Sequence, residues 1–282
     1  MNSQDLIFKT KNTWCPGCSN FGIDAAFRSA VAELIEEGML KENFVVLSGI
    51  GCHAKISDYL NLNSFYALHG RPIPAATGIK LANPNLKVIV FEGDGDAYNE
   101  GIEHLIHAAK KNTDITVIVH DNRLFALTTG QYTGTSFKGF AGRSTPQGSV
   151  EEPFNPIELM LADKASFVAR SYALKANHLK ETLKKAIKHQ GFSFVDVLQP
   201  CISYLNNTDF YNQKIYELGP EYDCTNLDLA YQKAREWDYS QNALKIPIGA
   251  FYCKPKLGYE KAILQGLTSK PSSIQNILSE KI

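Results

Sequence analysis

The sequence has no excess charge of either sign and no long apolar run. Among its 282 residues, 29 lysines and arginines balance 29 aspartates and glutamates. Without net charge there is no global field to attract nucleic acid or an anionic membrane surface, so neither is expected as a partner. The longest apolar runs, such as VIVF at 88–91 and ITVIV at 115–119, are far shorter than the roughly 20 residues that span a bilayer.

The sequence also lacks a recognisable export signal, which bears on the state of its six cysteines. The first residues, MNSQDLIFKTKN, have neither a basic start nor an apolar stretch, which predicts a soluble cytoplasmic protein. In that reducing compartment the six cysteines are not expected to form three structural disulfides, so their spacing indicates metal ligation or catalysis. Cys224 and Cys253 have no partner at ligand spacing and are predicted to be small apolar fillers.

Strands that alternate with helices predict an α/β fold, with a parallel sheet covered on both faces by helices. Two apolar runs that end in glycine turns are the clearest strands: FVVLSGIG (44–51) and KVIVFEGDGD (87–96). Further strands are predicted at 114–122 and 193–200, and helices at 20–37, 98–111, 156–164 and 176–189. The segment 123–155 is too long for an ordinary connection and is predicted to be a functional loop.

The glycine turn at 93–95 is the first candidate ligand site. Gly93 and Gly95 allow the backbone to approach a phosphate, and a helix predicted from about Ala97 offers free N–H groups. Asn122 closes the next predicted strand, so Asp94 and Asn122 are expected at neighbouring strand ends. Their oxygen atoms would ligate one side of a Mg²⁺ ion, and phosphate oxygens and water would complete its coordination shell.

This Gly-Asp-Gly…Asn arrangement resembles the thiamine diphosphate fingerprint. The resemblance implies a magnesium ion that is ligated by the side chains of Asp94 and Asn122 and by the carbonyl of Leu124. It also implies that Gly95 and Asp96 lie near the diphosphate.

WCPGC at 14–18 has several possible roles. Thioredoxin-like dithiols have Gly and Pro in the opposite order and follow a strong strand, unlike this segment. Cys52 and Cys201 follow predicted strands, so both can join Cys15 and Cys18 at one sheet edge. Four thiolates suit zinc or a [4Fe–4S] cluster equally. A neighbouring thiamine diphosphate favours the cluster, because oxidation of the carbanion that this cofactor stabilises requires an electron acceptor and zinc has no redox chemistry.

The motifs together resemble the β subunit of the 2-oxoacid:ferredoxin oxidoreductases. The segments that carry the resemblance are WCPGCSNFGI, SGIGC, HGRPIPAATGIKLANP, GDGDA, HAAKKNTDITVIVHDN and LTTGQ. It implies oxidative decarboxylation of a 2-oxo acid to acyl-CoA and CO₂, with electrons passed through a [4Fe–4S] cluster to ferredoxin. It also implies that an α subunit, or α and γ chains, supplies the carboxylate that activates the thiamine ring and much of the 2-oxo acid and coenzyme A site.

The resemblance assigns residues to each group. The cluster ligands are Cys15, Cys18, Cys52 and Cys201. The thiamine diphosphate site comprises Ile50, Gly51, Cys52, His53, His69, Arg71, Gly93, Gly95, Asp96, Ala126 and Leu127. Residues 1–205 would form the domain that binds thiamine diphosphate and the cluster, and residues 206–282 a C-terminal extension that packs on the core or on a partner.

Substrate choice depends on Thr129, where relatives carry lysine or glycine. A cation there could bind the distal carboxylate of 2-oxoglutarate, so its absence favours pyruvate, with 2-oxoglutarate or another 2-oxo acid as the alternative. A nonredox thiamine enzyme half with a zinc staple, and a zinc-stapled protein-binding scaffold, remain as competing hypotheses.

Overall fold

The computed structural model describes residues 2–266, in which strands and helices alternate along the chain. The strands are β1 (Phe44–Ser48), β2 (Asn63–Tyr66), β3 (Lys87–Gly93), β4 (Ile115–Asp121), β5 (Leu124–Phe125), β6 (Gln131–Tyr132), β7 (Phe167–Tyr172), β8 (Ser193–Leu198), β9 (Ile215–Glu217) and β10 (Ile246–Cys253). The α-helices are α1 (Asn20–Glu36), α2 (Ile56–Tyr59), α3 (Pro72–Ala82), α4 (Ile102–Lys111), α5 (Pro156–Ala162), α6 (Ala176–Lys188), α7 (Thr208–Lys214), α8 (Leu227–Ala234) and α9 (Tyr259–Gly266). None of the helices in this part of the chain has the length and apolar character of a bilayer span.

Eight strands form the main sheet, in the order β2-β1-β3-β4-β8-β7-β10-β9. The first six strands in this order, β2, β1, β3, β4, β8 and β7, are parallel to one another. Strand β10 is antiparallel to β7. A short hairpin, β5–β6, lies apart from this sheet. The structure confirms the predicted parallel sheet with helices on both faces.

Two apolar layers sandwich the sheet, because successive side chains of a strand point to opposite faces. On β3, Ile89 and Phe91 pack towards α1 and α6, while Val88 and Val90 pack against α3 and α4 on the other face. A strand that is buried on both faces is a continuous apolar run in the sequence. VIVF is therefore a strong strand signal.

The predicted start of the helix at 98–111 was wrong. Residues Gly95–Glu100 form a π-helical turn, and α4 begins only at Ile102. Gly101 interrupts the helix where the backbone meets the segment before α3: a Cβ atom at this position would lie 2.8 Å from the carbonyl oxygen of Gly70. Close backbone contact between two segments has no signature in helical periodicity.

The C-terminal part of the chain contributes directly to the main sheet. Strand β10 extends the sheet beyond β7, and β9 pairs with β10 in parallel. An aromatic cluster covers this end of the sheet, with Tyr211, Trp237 and Tyr239 almost completely buried. The predicted extension covers 206–282, and its last residues, 267–282, lie outside the described residues.

Arg170 of β7 connects the parallel strands to this C-terminal part. Its guanidinium is fully buried, donates to the Tyr239 hydroxyl and the Pro247 carbonyl at 3.2 Å, and lies 3.7 Å from the carboxylate of Asp196. The Tyr239 hydroxyl in turn donates to Asp196 at 2.5 Å. The buried cation is thus satisfied by one carboxylate and by groups from the C-terminal segment.

Replacement of Arg170 by methionine is expected to destabilise the fold strongly. The change leaves Asp196 as a buried carboxylate without this cation, which costs about 3–5 kcal/mol and lowers the melting temperature by roughly 5–8 °C in a chain of this length. Thermal unfolding followed by circular dichroism measures the effect. Arg235→Met is the control, because Arg235 is 66% exposed and its ion pair is worth under about 1 kcal/mol. Equal melting temperatures for the two variants would contradict this account.

Candidate active site

The candidate site lies where four adjacent parallel strands end. β1, β3, β4 and β8 are neighbours in that order, so the loops after them meet at one sheet edge. Gly93 at the end of β3 pairs in register with His120 of β4. Asp94 and Asn122 therefore follow adjacent strand ends. Ligand sites of open parallel sheets form at this edge.

One cavity at this edge, which we call the acidic cavity, has a volume of about 80 Å³. It is lined by Ile50, Gly51, Cys52, His53, His69, Gly93, Asp94, Gly95, Asp96, Asn122, Leu124, Phe125, Ala126, Leu127 and Thr128. Arg71 is the one residue of the predicted thiamine diphosphate and magnesium sites that is not among them. Its exposed guanidinium donates to the carbonyl of Glu100 instead.

Asp94 is 1% exposed and is held by the loop that follows β4. Its Oδ2 accepts hydrogen bonds from the hydroxyls of Thr133, at 2.5 Å, and Thr135, at 3.4 Å. Asn122 Oδ1 accepts from the backbone N–H of Leu124 at 3.0 Å, which brings Leu124 beside the amide. Burial raises the pKa of Asp94 to about 7. A carboxyl so deeply buried requires a cation to become fully ionised at neutral pH.

Asp96 has a different environment. His53 Nε2 lies 3.1 Å from its Oδ2, His69 Nδ1 lies 2.6 Å from its Oδ1, and the N–H of Gly70 donates to Oδ1 at 2.7 Å. Burial alone would raise the pKa of Asp96, but these partners outweigh it and lower the pKa to about 2. The same contact raises the pKa of His69. Asp96 is therefore an ionised anchor that orients two histidines in the cavity wall.

Glycine is required where Asp96 and the cavity floor pack closely. A Cβ atom at Gly49 would lie 1.9 Å from Asp96 Oδ2, and one at Gly95 would lie 2.2 Å from the Phe125 ring. Both distances are shorter than any van der Waals contact. These glycines hold the carboxylate and the ring against the backbone at the ends of β1 and β3.

A second cavity, which we call the thiol cavity, has a volume of about 180 Å³ and adjoins the first. Cys15, Cys18, Cys52 and Cys201 all line it. Burial raises the pKa of Cys52 to about 11 and also raises the pKa of Cys18. The structure thus gathers the four predicted cluster ligands, which are far apart in the sequence, around one space.

The four cysteines line one open space of about 180 Å³. Across residues 2–266, no three histidine, cysteine, aspartate or glutamate side chains are close enough to ligate one metal ion. Tetrahedral zinc with bonds of 2.3 Å would hold its sulfurs about 3.8 Å apart. An iron–sulfur cluster separates its thiolates more widely, because four iron and four sulfide ions lie between them.

The two cavities share a wall and are joined by one buried amide. Cys52, Asn122, Ala126 and Leu127 line both of them. Gln199 accepts a hydrogen bond from Asn122 Nδ2 at 3.3 Å, and its own Nε2 lies 3.9 Å from the sulfur of Cys18. A candidate magnesium ligand and a candidate cluster ligand are thus bridged by a single side chain.

Several residues that contribute to the site were not predicted. Phe125 and Thr128 line the acidic cavity, and Thr133 and Thr135 hold Asp94. All four belong to the segment 123–155, whose length and Ser/Thr content are the only signal in the sequence. Gln199 follows β8, two residues before Cys201. It is far from the other motifs in the sequence, so its contacts with Asn122 and Cys18 could not be predicted. Thr129, in contrast, is not among the residues that line either cavity.

Comparisons with known proteins identify the family. Residues 49–197 match the family "Thiamine pyrophosphate enzyme, C-terminal TPP binding domain", and residues 201–265 match the family of the C-terminal part of the pyruvate ferredoxin oxidoreductase β subunit. The β subunit of 2-oxoacid:ferredoxin oxidoreductase 1 from Aeropyrum pernix is 41% identical to this chain, over 95% of this chain and 87% of that protein. The chain belongs to the 2-oxoacid:ferredoxin oxidoreductase family, as a β subunit.

Two further 2-oxoacid:ferredoxin oxidoreductases agree with this assignment. The β subunit of the enzyme from Saccharolobus solfataricus is 40% identical, over 94% of this chain and 88% of that protein. A solved 2-oxoglutarate:ferredoxin oxidoreductase from Magnetococcus marinus, with 2-oxoglutarate, coenzyme A and succinyl-CoA bound, matches at a TM-score of 0.91 and 32% identity, over 99% of this chain and 95% of that chain. The predicted family, fold and enzyme class are confirmed, as is thiamine diphosphate binding at the level of the domain. A β subunit also implies an α subunit in the same enzyme.

Proposed function

We propose that this β subunit holds thiamine diphosphate through Mg²⁺ in the acidic cavity and a [4Fe–4S] cluster in the thiol cavity. In this proposal the complete enzyme decarboxylates a 2-oxo acid oxidatively to acyl-CoA and CO₂ and delivers the electrons to ferredoxin. The observation that carries the proposal is the wall shared by the two cavities. It would put an electron acceptor next to the cofactor that activates the substrate.

The acidic cavity has the donors that magnesium prefers. Mg²⁺ binds hard oxygen ligands in small numbers and leaves the rest of its shell to phosphate and water. The carboxylate of Asp94, the amide oxygen of Asn122 and the carbonyl of Leu124 are such donors. Thr133 and Thr135 orient Asp94 from behind, as outer hydrogen bonds commonly orient a metal ligand. When bound, thiamine diphosphate supplies carbanion stabilisation at the carbonyl carbon of the substrate.

The thiol cavity has the donors of an iron–sulfur cluster. Thiolates are soft ligands that suit zinc or iron–sulfur centres, and the spacing around an open space favours the larger group. Gln199 would place an N–H donor near the sulfur of Cys18, and hydrogen bonds to ligand sulfurs are one determinant of a cluster's potential. A zinc site in a nonredox enzyme or scaffold would instead hold the four sulfurs about 3.8 Å apart.

The partner completes the thiamine site. Ligand pockets usually exceed roughly 300 Å³, whereas the acidic cavity has about 80 Å³. Ile50 and Leu127 line it and are still 41% and 47% exposed, as expected where another chain covers a rim. Both carboxylates that line the cavity already have roles, Asp94 towards Mg²⁺ and Asp96 towards two histidines. The carboxylate that activates the thiamine ring is therefore assigned to the α subunit, or to α and γ chains.

Pyruvate is the favoured substrate, and 2-oxoglutarate is the alternative. Thr129 carries no charge that could bind a distal carboxylate. A relative of known structure has 2-oxoglutarate bound. A cation from the partner subunit that binds the distal carboxylate would change the preference from pyruvate to 2-oxoglutarate. The ratio of kcat/KM for the two acids in the assembled enzyme decides between them.

Magnesium-dependent binding of thiamine diphosphate is expected to weaken in acid. Burial raises the pKa of Asp94 to about 7, so the free carboxyl is protonated below this pH and the proton competes with the metal. Affinity should fall about tenfold for each pH unit below 7 and level off above it. Titration of the complete enzyme with thiamine diphosphate, with Mg²⁺ in excess, at several pH values measures this. Asp94→Asn should remove the slope above about pH 6, where the phosphate oxygens keep their charge, and a flat profile there for the unaltered protein would contradict the assignment.

The test of the proposed function uses the complete enzyme. The chain is purified without oxygen together with its native partner and assayed for reduction of ferredoxin by pyruvate or 2-oxoglutarate. We expect activity that requires the 2-oxo acid, coenzyme A and thiamine diphosphate, and no activity from the isolated β subunit. Decarboxylation without ferredoxin reduction, in a protein that contains zinc and no sulfide, would indicate the nonredox enzyme. No thiamine diphosphate binding would indicate the scaffold.

A further inference from the structure

The two cysteines outside the thiol cavity lie next to each other. Cys253 is the last residue of β10, and Cys224 lies in the segment between β9 and α8. The backbone N–H of Cys253 donates to the carbonyl of Cys224 at 2.7 Å. With standard peptide dimensions, this bond limits the distance between the two Cα atoms to about 6.6 Å. Disulfides span Cα distances up to about 6.8 Å, so the pair meets this requirement without a change in the fold.

A histidine faces one of these thiols. His189 Nδ1 lies 3.9 Å from the sulfur of Cys253, and its Nε2 lies 2.9 Å from the hydroxyl of Ser166. That hydroxyl donates to Asn112 Oδ1 at 2.6 Å, and the N–H of Phe192 donates to the same oxygen, which identifies it as an acceptor. Ser166 therefore uses its proton on Asn112 and accepts from His189 Nε2–H. The unprotonated Nδ1 is left to face the thiol.

The protonation states fit a thiol that is ionised only as it reacts. Burial raises the pKa of Cys253, so the resting thiol keeps its proton at neutral pH. Burial lowers the pKa of His189 to about 4, so the ring is neutral and its Nδ1 lone pair is free. A cysteine and a histidine base that a third group orients are the elements of an activated thiol. Nothing in the thiamine or cluster chemistry uses them.

We propose that Cys253 and Cys224 form an oxidisable dithiol that hydrogen peroxide converts into a disulfide, with His189 as the proton acceptor. The sulfur of Cys253 attacks one peroxide oxygen, the O–O bond breaks, and the thiol proton passes through His189 to the leaving hydroxide, which becomes water. The product is a sulfenic acid on Cys253. The sulfur of Cys224 then attacks it, the S–O bond breaks and a second water leaves. Two thiols lose two electrons, and one peroxide becomes two waters.

The bond would close a loop that supports the interior of the protein. Residues 224–253 include Tyr239, whose hydroxyl and carbonyl hold Asp196 and Arg123. A crosslink across this loop restricts the unfolded chain much more than the folded one. The oxidised protein should therefore melt roughly 5 °C higher than the reduced protein. The inference does not depend on either proposed cofactor.

The experiment treats the anaerobically purified αβ complex with a small molar excess of hydrogen peroxide, followed by alkylation and peptide mapping. The expected product is a peptide pair joined through Cys224 and Cys253 that dithiothreitol separates again. In Cys224→Ser the reaction should stop at a sulfenic acid on Cys253, which dimedone traps. Peptides that contain Cys15, Cys18, Cys52 and Cys201 show separately whether the thiol cavity has been attacked.

The role of His189 is tested by rate. His189→Gln should slow disulfide formation at least tenfold, whereas His178→Gln should not, because His178 Nδ1 contacts the hydroxyl of Ser171 at 2.8 Å and His189 Nδ1 faces the sulfur of Cys253. The proposal would be overturned if both Cys224 and Cys253 remained fully reactive to the alkylating agent after peroxide treatment. Equal rates in His189→Gln and the unaltered protein would overturn the assignment of the base. A linked pair with an unchanged melting temperature would refute the stabilising role of the loop.

Discussion

Alanine at both Cys52 and Cys201 is expected to abolish iron binding by this β chain. The loss removes two of four thiolates from the thiol cavity, and a cluster held by the remaining two exposes iron to water and dissociates. Iron and acid-labile sulfide should fall from about four of each per β chain to below one. Both cysteines lie in loops beyond strand ends and outside the apolar layers, so the folded sheet should persist. Iron, sulfide and visible absorption of anaerobically purified protein measure the effect.

The matched control is alanine at Cys224. This cysteine is also half-buried but lies outside the thiol cavity, so the variant should retain its iron and its colour. Any cluster carried by the partner is subtracted with partner purified alone. Stoichiometric zinc without sulfide in the unaltered protein would refute the electron-transfer role. Full iron retention in the double variant would show that other ligands hold the metal.

Asparagine in place of Asp94 is expected to weaken magnesium-dependent binding of thiamine diphosphate at least 100-fold. Loss of a hydrogen bond behind a metal ligand typically costs 10–100-fold in affinity, and loss of the only charged ligand proposed on this chain should cost more. Asparagine keeps the size of aspartate and an oxygen that can accept from Thr133, so the loop after β4 should retain its conformation. Calorimetry with Mg²⁺ in excess measures the affinity, and turnover of the assembled enzyme should fall in parallel.

Asp223→Asn provides the comparison for this substitution. Asp223 is an exposed carboxylate that accepts hydrogen bonds from the N–H and the hydroxyl of Thr225, so its replacement should leave cofactor affinity unchanged. Without Mg²⁺ the unaltered protein should bind as weakly as Asp94→Asn. An unchanged affinity in Asp94→Asn would show that Asp94 is not the ligand.

The parts of the fold that were predictable are the strands buried on both faces. In β3 and β4 such burial requires a continuous apolar run, and a glycine turn or a polar cluster marks the end of each. β7 was not predicted, because its sequence, FVARSY, has an arginine and a serine in a strand that is nevertheless buried throughout. The hydrogen bonds and the ion pair of that arginine come from Asp196, Tyr239 and Pro247, which are distant in the sequence. A local pattern contains no information about such compensation.

Most residues that line the two cavities were predictable from the sequence, but the residues that support them were not. Asp94, Asn122, Cys52 and Cys201 follow strand ends, and the parallel topology brings these ends together, whereas Cys15 and Cys18 precede α1. Thr133 contacts Asp94 from a loop whose sequence has no periodic pattern. Gln199 contacts Asn122 and Cys18 only because the tertiary fold brings them together. Arg71 was placed at the site by resemblance, but its guanidinium contacts the backbone of Glu100 outside the cavity lining.

The wall common to the two cavities has a thermodynamic consequence. Asn122 faces the acidic cavity, Cys52 faces the thiol cavity, and each also lines the other space. Any ordering of this wall by one bound group changes the free energy with which the other binds, and such coupling is reciprocal. If both proposed groups order this wall, absence of the iron–sulfur cluster should weaken the affinity for thiamine diphosphate, and absence of thiamine diphosphate should weaken the affinity for the cluster by the same factor. Assembly of the holoenzyme would then be cooperative, with few half-loaded β chains at equilibrium.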